Sequence, residues 1–204
     1  MKKTFLLIVA CFFAFATVQA QSSEVEATTQ LTKAEQFKTK NSFIKEDKIY
    51  THKGQGVQMF AKLFTDLKTG EQLAALEFYP SAGQQMQNLM IGQYSAPLGY
   101  LDLEEVNDLV LALEKMLEHA SNADKKDEFT ITYSAPGGID VCFVRYENGS
   151  EICTMRKKWY SLDDYGIQTT KYSEGWITIT SVVMPKLISA IKEAQLIANQ
   201  ALAK

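Results

Sequence analysis

The chain has 204 residues, a formal net charge of −3 at pH 7 and 46% hydrophobic residues. That is the length of one ordinary domain, with enough apolar content for a core. The mildly acidic balance disfavours nucleic acid or an anionic membrane surface as partner.

Residues 1–20 have the anatomy of a secretory signal. Lys2 and Lys3 form a basic start, Phe5 to Val18 an apolar stretch, and Val18-Gln19-Ala20 a small-residue cleavage pattern before Gln21. The expectation is export to the periplasm or outer cell surface. Ile8-Val9-Ala10-Cys11 also resembles a lipobox, so lipidation at Cys11 stays open as an alternative. No apolar run after Ala20 approaches the roughly 20 residues needed to span a bilayer, so no transmembrane segment is expected in the mature chain.

Residues 21–46 read as a polar, flexible leader; Leu31, Ala34 and Phe37 have weak helical spacing that allows one short helix. From 47 to 204 the pattern is that of a single α+β domain. Residues 57–65 alternate with period two, 66–70 form a turn ending in Gly70, and 72–79 return as a strand closed by Pro80. Residues 87–94 allow another strand. Asp102-Leu103-Glu104-Glu105 reads as a capping box opening a helix over 103–120, with Val106, Leu109, Val110, Leu113, Met116 and Leu117 on one stripe.

The second half repeats this plan. Strands are expected at 129–133, 139–146 and 151–159, with Asn148-Gly149 as a hairpin turn, and at 176–179. Ser181 is placed to cap a last helix carrying Pro185 in its first turn, with Leu187, Ile188, Ile191, Ala194, Gln195 and Ala198 on its stripe. Leu109 to Glu114 aligns with Leu187 to Lys192, and Gly99-Tyr100-Leu101 with Gly175-Trp176-Ile177. Residues 48–120 and 128–200 therefore read as an internal duplication. The expected fold is an antiparallel sheet built from two related halves, each followed by one amphipathic helix packed on the sheet.

A two-residue turn at Asn148-Gly149 would put Cys142 and Cys153 on one face of the hairpin, diagonal to each other and at the limit of disulfide reach. The expectation is two free thiols. A turn at Tyr146 to Gly149 would set them directly opposite, and a three-residue loop would set them on opposite faces.

Chemistry-bearing motifs are few. His52 and His119 have no zinc-ligand spacing, and His119 suits the negative end of the first helix. Neither a Gly-x-Ser-x-Gly elbow nor a P-loop occurs. Glu104 and Glu105 are explained by capping. Arg156-Lys157-Lys158-Trp159-Tyr160 could follow a phosphate backbone, but strand alternation would split its charges between two faces. The most suggestive polar patch is Asp163-Asp164 beside Trp159, Tyr160 and Tyr165, an aromatic-plus-acid grouping of the kind that binds sugars and calcium. No catalytic residue, metal site or cofactor is expected. The expected partner is an envelope protein or a small ligand or glycan, with no role for nucleic acid.

Two resemblances follow from these motifs. The turn 66–70, the strand-to-helix entry 100–106, the 109–114 stripe and the closing 187–194 helix resemble a family of small exported proteins of Gram-negative gut bacteria. The resemblance spans most of residues 43–198 and implies no catalytic residues. A duplicated four-strand-plus-helix unit also resembles the Whirly and p15-coactivator topology, which implies single-stranded nucleic-acid binding by analogy of fold alone. The function expected is a non-catalytic binding protein of the envelope. The alternatives are a hydrolase acting on envelope or dietary polymers and, second, a single-stranded nucleic-acid binder.

Overall fold

The computed structural model describes residues 31–54, 56–83, 85, 97–162 and 168–204; for 159–162 and 168–175 the backbone alone is described. The strand expected over 87–94 falls outside the described residues.

The fold is α+β with two similar halves. A short helix, α1 (Lys33–Lys40), precedes four strands: β1 (Ile44–Lys53), β2 (Val57–Asp66), β3 (Gln72–Pro80) and β4 (Gly99–Asp102). Helix α2 (Val106–Asn122) follows. The second half has β5 (Phe129–Ser134), β6 (Ile139–Arg145), β7 (Glu151–Leu162) and β8 (Gln168–Thr180), then α3 (Met184–Leu202). Each set of four strands forms its own antiparallel sheet in simple sequential order. The expected duplication is visible position by position. Leu109, Val110, Leu113, Met116 and Ala120 of α2 correspond to Leu187, Ile188, Ile191, Ala194 and Ala198 of α3, and all ten are buried.

The helices are exchanged between the halves. Helix α3 lies against β1, β2 and β3, whereas α2 lies against β5 and α3. Tyr50 of β1 donates its hydroxyl to Glu193 of α3 at 2.9 Å, and His119 of α2 meets Phe129 of β5 edge-on, with ring centroids 4.7 Å apart. The exchange fuses the inner faces of both sheets into one core. Met59, Leu76 and Phe78 of the first sheet share it with Val141, Phe143 and Met155 of the second. Each such side chain contributes about 2 kcal/mol by leaving water.

Helix α1 occupies part of the stretch expected to be a flexible leader. Thr32 caps it, accepting from Glu35 N at 3.1 Å, and Glu35 returns a carboxylate to Thr32 N at 2.9 Å. Ala34 and Phe37, the residues of the weak helical spacing, pack with Phe64, Ala75 and Tyr100 in a second, smaller core on the outer face of the first sheet.

Both expected helix caps differ in the structure. Helix α2 begins at Val106 with Glu105 as N-cap and no side-chain cap bond. The Glu105 amide bonds the Asp102 carbonyl at 3.0 Å, closing a tight turn. The Asp102 carboxylate is thereby released, and it accepts Lys33 N at 2.7 Å and Ala34 N at 3.2 Å at the start of α1. Glu105 does reach back to Asp102 N, at 3.3 Å, while its other oxygen accepts Gly137 N at 2.7 Å. Helix α3 repeats the turn, with Val183 as N-cap and Pro185 in the first turn; Ser181 sits in the turn and does not cap.

The β6–β7 connection has the three-residue form. Arg145 pairs Glu151 and Phe143 pairs Cys153, Tyr146 N bonds Ser150 O at 3.0 Å, and Gly149 takes φ +76°. Asn148 stabilises the loop by accepting from Ser150 N at 2.9 Å. The odd residue shifts the register by one, as in a type I turn followed by a left-handed glycine. Cys142 and Cys153 therefore do not share a face as the two-residue turn would require. Cys153 is fully buried in the core, Cys142 is half-buried, and both are free thiols.

Candidate binding face on the second sheet

Strand alternation divides the second sheet into a core face and an outer face. On the outer face the register builds three rows across four strands. Thr130, Val144, Ile152 and Thr180 form one row, Thr132, Cys142, Thr154 and Thr178 the next, and Ser134, Asp140, Arg156 and Trp176 the third. None of these twelve residues is buried. By contrast, the outer face of the first sheet is partly covered by α1.

The third row carries the charge. Lys158 Nζ lies 3.7 Å from Asp140 Oδ1 and donates to Ser134 Oγ at 3.2 Å, and Ser134 in turn hydrogen-bonds Asp140. Burial raises the Cys142 thiol pKa, partly opposed by Arg156, so this thiol stays protonated at neutral pH. The chemistry offered is a four-stranded surface of hydroxyls with an aromatic ring, a guanidinium and a carboxylate along one end.

The strands β7 and β8 continue past this end. The β6 ladder stops at Ile139 opposite Lys157, but β7 and β8 remain paired through Leu162 and Gln168. A two-residue bulge in β8, opposite Lys157, separates this ribbon from the sheet. Trp159 pairs Lys171 and Tyr160 pairs Thr170 within it. Asp163, Asp164 and Tyr165 lie outside the described residues. Two members of the aromatic-plus-acid patch thus stand on an extension of the open sheet, a relation no local motif could reveal.

The basic cluster is split as alternation requires. Lys157 turns to Glu35 of α1 at 3.2 Å and to the Gly137 carbonyl at 2.8 Å, while Lys158 faces Asp140. On the first sheet, Lys62 is only 5% exposed and lies 2.5 Å from Glu46 and 2.6 Å from Glu77, itself 4% exposed. Burial alone would lower the Lys62 pKa; Glu46 and Glu77 outweigh it and raise it. Burial, then the Glu77 charge, pushes the Tyr79 phenol up to about 12. Sequence reasoning passed over Lys62, although a lysine amid Phe60, Ala61, Leu63 and Phe64 is the kind of interruption that signals a buried ion pair.

Two concavities lie elsewhere among the described residues. One, of about 400 Å³, is lined by Tyr50, His52, Lys186, Ser189 and Glu193 among others. The Glu193 carboxylate is taken by Tyr50, and Ser189 Oγ donates to the Pro185 carbonyl at 3.0 Å. Imidazole, hydroxyl and carboxylate therefore do not form a relay. The other, of about 740 Å³, surrounds Arg145, which bonds the Asp124 carbonyl at 3.1 Å and Glu151 at 2.9 Å and so closes the C-terminal end of α2. Among the described residues no group of three or more His, Cys, Asp or Glu could hold a metal ion, and no helix is long and apolar enough to cross a membrane.

Compared with known protein families and with curated proteins, the chain shows no match.

Proposed function

We propose that this is an exported, non-catalytic binding protein of the bacterial envelope whose ligand lies on the open face of the second sheet. The carrying observation is that face itself: three rows across four strands, none of their residues buried, rich in threonine and ending at Trp176, Arg156 and Asp140. A polar sheet face with an aromatic edge suits an extended glycan, whose rings stack on indole and whose hydroxyls exchange bonds with Thr, Arg and Asp. Trp159, Tyr160, Asp163, Asp164 and Tyr165 are the further residues that the sequence offers to such a ligand, the first two on the β7–β8 ribbon that continues this end of the sheet. The signal anatomy of residues 1–20 supports export.

The test is affinity electrophoresis through gels carrying soluble envelope or dietary polysaccharides, with Trp176→Ala and Thr154→Arg as variants. Retardation of the wild type that both variants abolish, at unchanged thermal midpoint, supports the reading. A wild type retarded by no polymer, or variants retarded equally, overturns it.

A hydrolase is the second reading, favoured only by the cleft at His52 and Glu193. Polymer cleavage that His52→Ala abolishes would establish it in place of the first.

A further inference from the structure

Among the described residues the two sheets present four edge strands, and three carry the devices that keep an edge from pairing. Strand β1 holds Lys45, Lys48 and Lys53 and a register break between Lys48 and Tyr50. Strand β4 is four residues long. Strand β8 carries the bulge opposite Lys157. Strand β5, Phe-Thr-Ile-Thr-Tyr-Ser, has no charge, no proline and an unbroken register with β6.

The phase of that edge follows from one bond. Ala135 N–H donates to the Ile139 carbonyl at 2.8 Å. Because antiparallel ladders alternate, Tyr133, Ile131 and Phe129 also bond β6, whereas Ser134, Thr132 and Thr130 aim their N–H and C=O groups away from it. Among the described residues no strand pairs with that side. The apolar side of β5 is incompletely covered too. Phe129, Ile131 and Tyr133 are half-buried, while Ile139, Val141 and Phe143 on the neighbouring strand are fully buried.

We infer that β5 pairs antiparallel with β5 of a second copy of this chain, about a dyad at Thr132, to form a continuous eight-stranded sheet. In this register Thr132 faces Thr132, Thr130 faces Ser134 and Ile131 faces Tyr133. All the outward backbone groups are used, giving about six hydrogen bonds. Hydroxyls oppose hydroxyls on the open face, and aromatic opposes β-branched on the core side, both favourable cross-strand pairs.

Self-pairing is favoured over capture of a foreign strand by the charge pattern. With no charged residue in β5, an identical strand meets no repulsion. Helix α2 runs along β5, with His119 at the Phe129 end. Asp108, in its first turn, lies towards the Tyr133 end. The dyad reverses one copy, so the Asp108 end of each α2 meets the His119 end of the other, where the helix dipoles are also opposed. The open faces become coplanar, roughly 34 Å across eight strands.

Sedimentation velocity over a concentration series tests this, combined with hydrogen exchange. The expected result is a monomer–dimer equilibrium in which the amides of Thr130, Thr132 and Ser134 become protected as the dimer fills. Thr132→Lys sets two lysines face to face at the dyad, and Thr132→Asp two carboxylates. Each raises the dissociation constant at least about tenfold, with an unchanged circular dichroism spectrum. Thr154→Lys, on the same face but away from the edge, leaves it unaltered. A protein monomeric throughout, a dimer that survives both Thr132 variants, or a dimer whose three edge amides stay unprotected would each overturn the inference.

Discussion

The Asp102 carboxylate at the end of β4 accepts the backbone N–H of Lys33 at 2.7 Å, reaching 69 residues back along the chain to close the start of α1. A helix of eight residues is marginal alone. Here an anion meets its positive end, Ala34 and Phe37 anchor one side, and Glu35 pairs with Lys157 of the other half.

Asp102→Ala should therefore cost about 0.5–2 kcal/mol, the range for loss of a helix-terminal acceptor. The loss should be local: hydrogen exchange accelerates in residues 33–40 before the core responds. Asp102→Asn, which keeps one acceptor oxygen, should fall between wild type and Ala. Equal protection of α1 in all three proteins would refute the role.

Lys62 makes a sharper prediction. Lys62→Met leaves the Glu77 carboxylate buried without its cation, at a cost of about 3–5 kcal/mol. The pair Lys62→Met with Glu77→Leu removes both charges and should recover most of that loss. Urea midpoints of the wild type and both variants decide it; a double variant no more stable than the single sinks the argument.

Glu46 sets an acid limb. Burial raises its pKa, but Lys62 and then Lys38 outweigh this and hold it below 4.5. With the folded value depressed, the unfolded chain takes up the proton first. The stability Glu46 contributes is thus present above about 4.5 and lost as pH falls through the lower folded value. Glu46→Gln should be less stable than wild type at neutral pH, with the gap closing in acid. A gap that is constant with pH would contradict the linkage.

The cysteines should label in two stages. Cys142 is half-buried, while Cys153 is fully buried, its thiol pushed up to about 12 by burial and then by Cys142. A maleimide should modify Cys142 in the native protein and Cys153 only on unfolding, without any reductant. Mass spectrometry of the peptides reads this directly, and a linked 142–153 peptide would disprove it.

Export itself is tested at the N-terminus. The expected mature chain begins at Gln21; Edman sequencing that finds Met1, or a lipidated Cys11, rules that processing out.

Much of the fold was legible because its causes are local. Period-two alternation marks β2 and β6, the stripes from Leu109 and Leu187 mark α2 and α3, and Asp66 to Gly70 form a turn whose glycine sits at φ +76°. Repeated local signals made the two halves recognisable. The candidate site was only half legible: Trp159 and Tyr160 stood out by type, but the rows through Thr132 and Thr154 exist only once four strands are in register.

What tertiary structure alone decided involves competition between partners far apart in the chain. Asp102 could cap α2 or α1, and the tight turn at Glu105 satisfied the first need with a backbone carbonyl, freeing the carboxylate for the second. Asn148-Gly149 permitted two or three loop residues, and the longer loop puts Cys153 with Phe143 and Met155 in the core. The amphipathic stripes require an apolar surface without specifying whose. Exchanging α2 and α3 between the sheets covers both inner faces with one shared core.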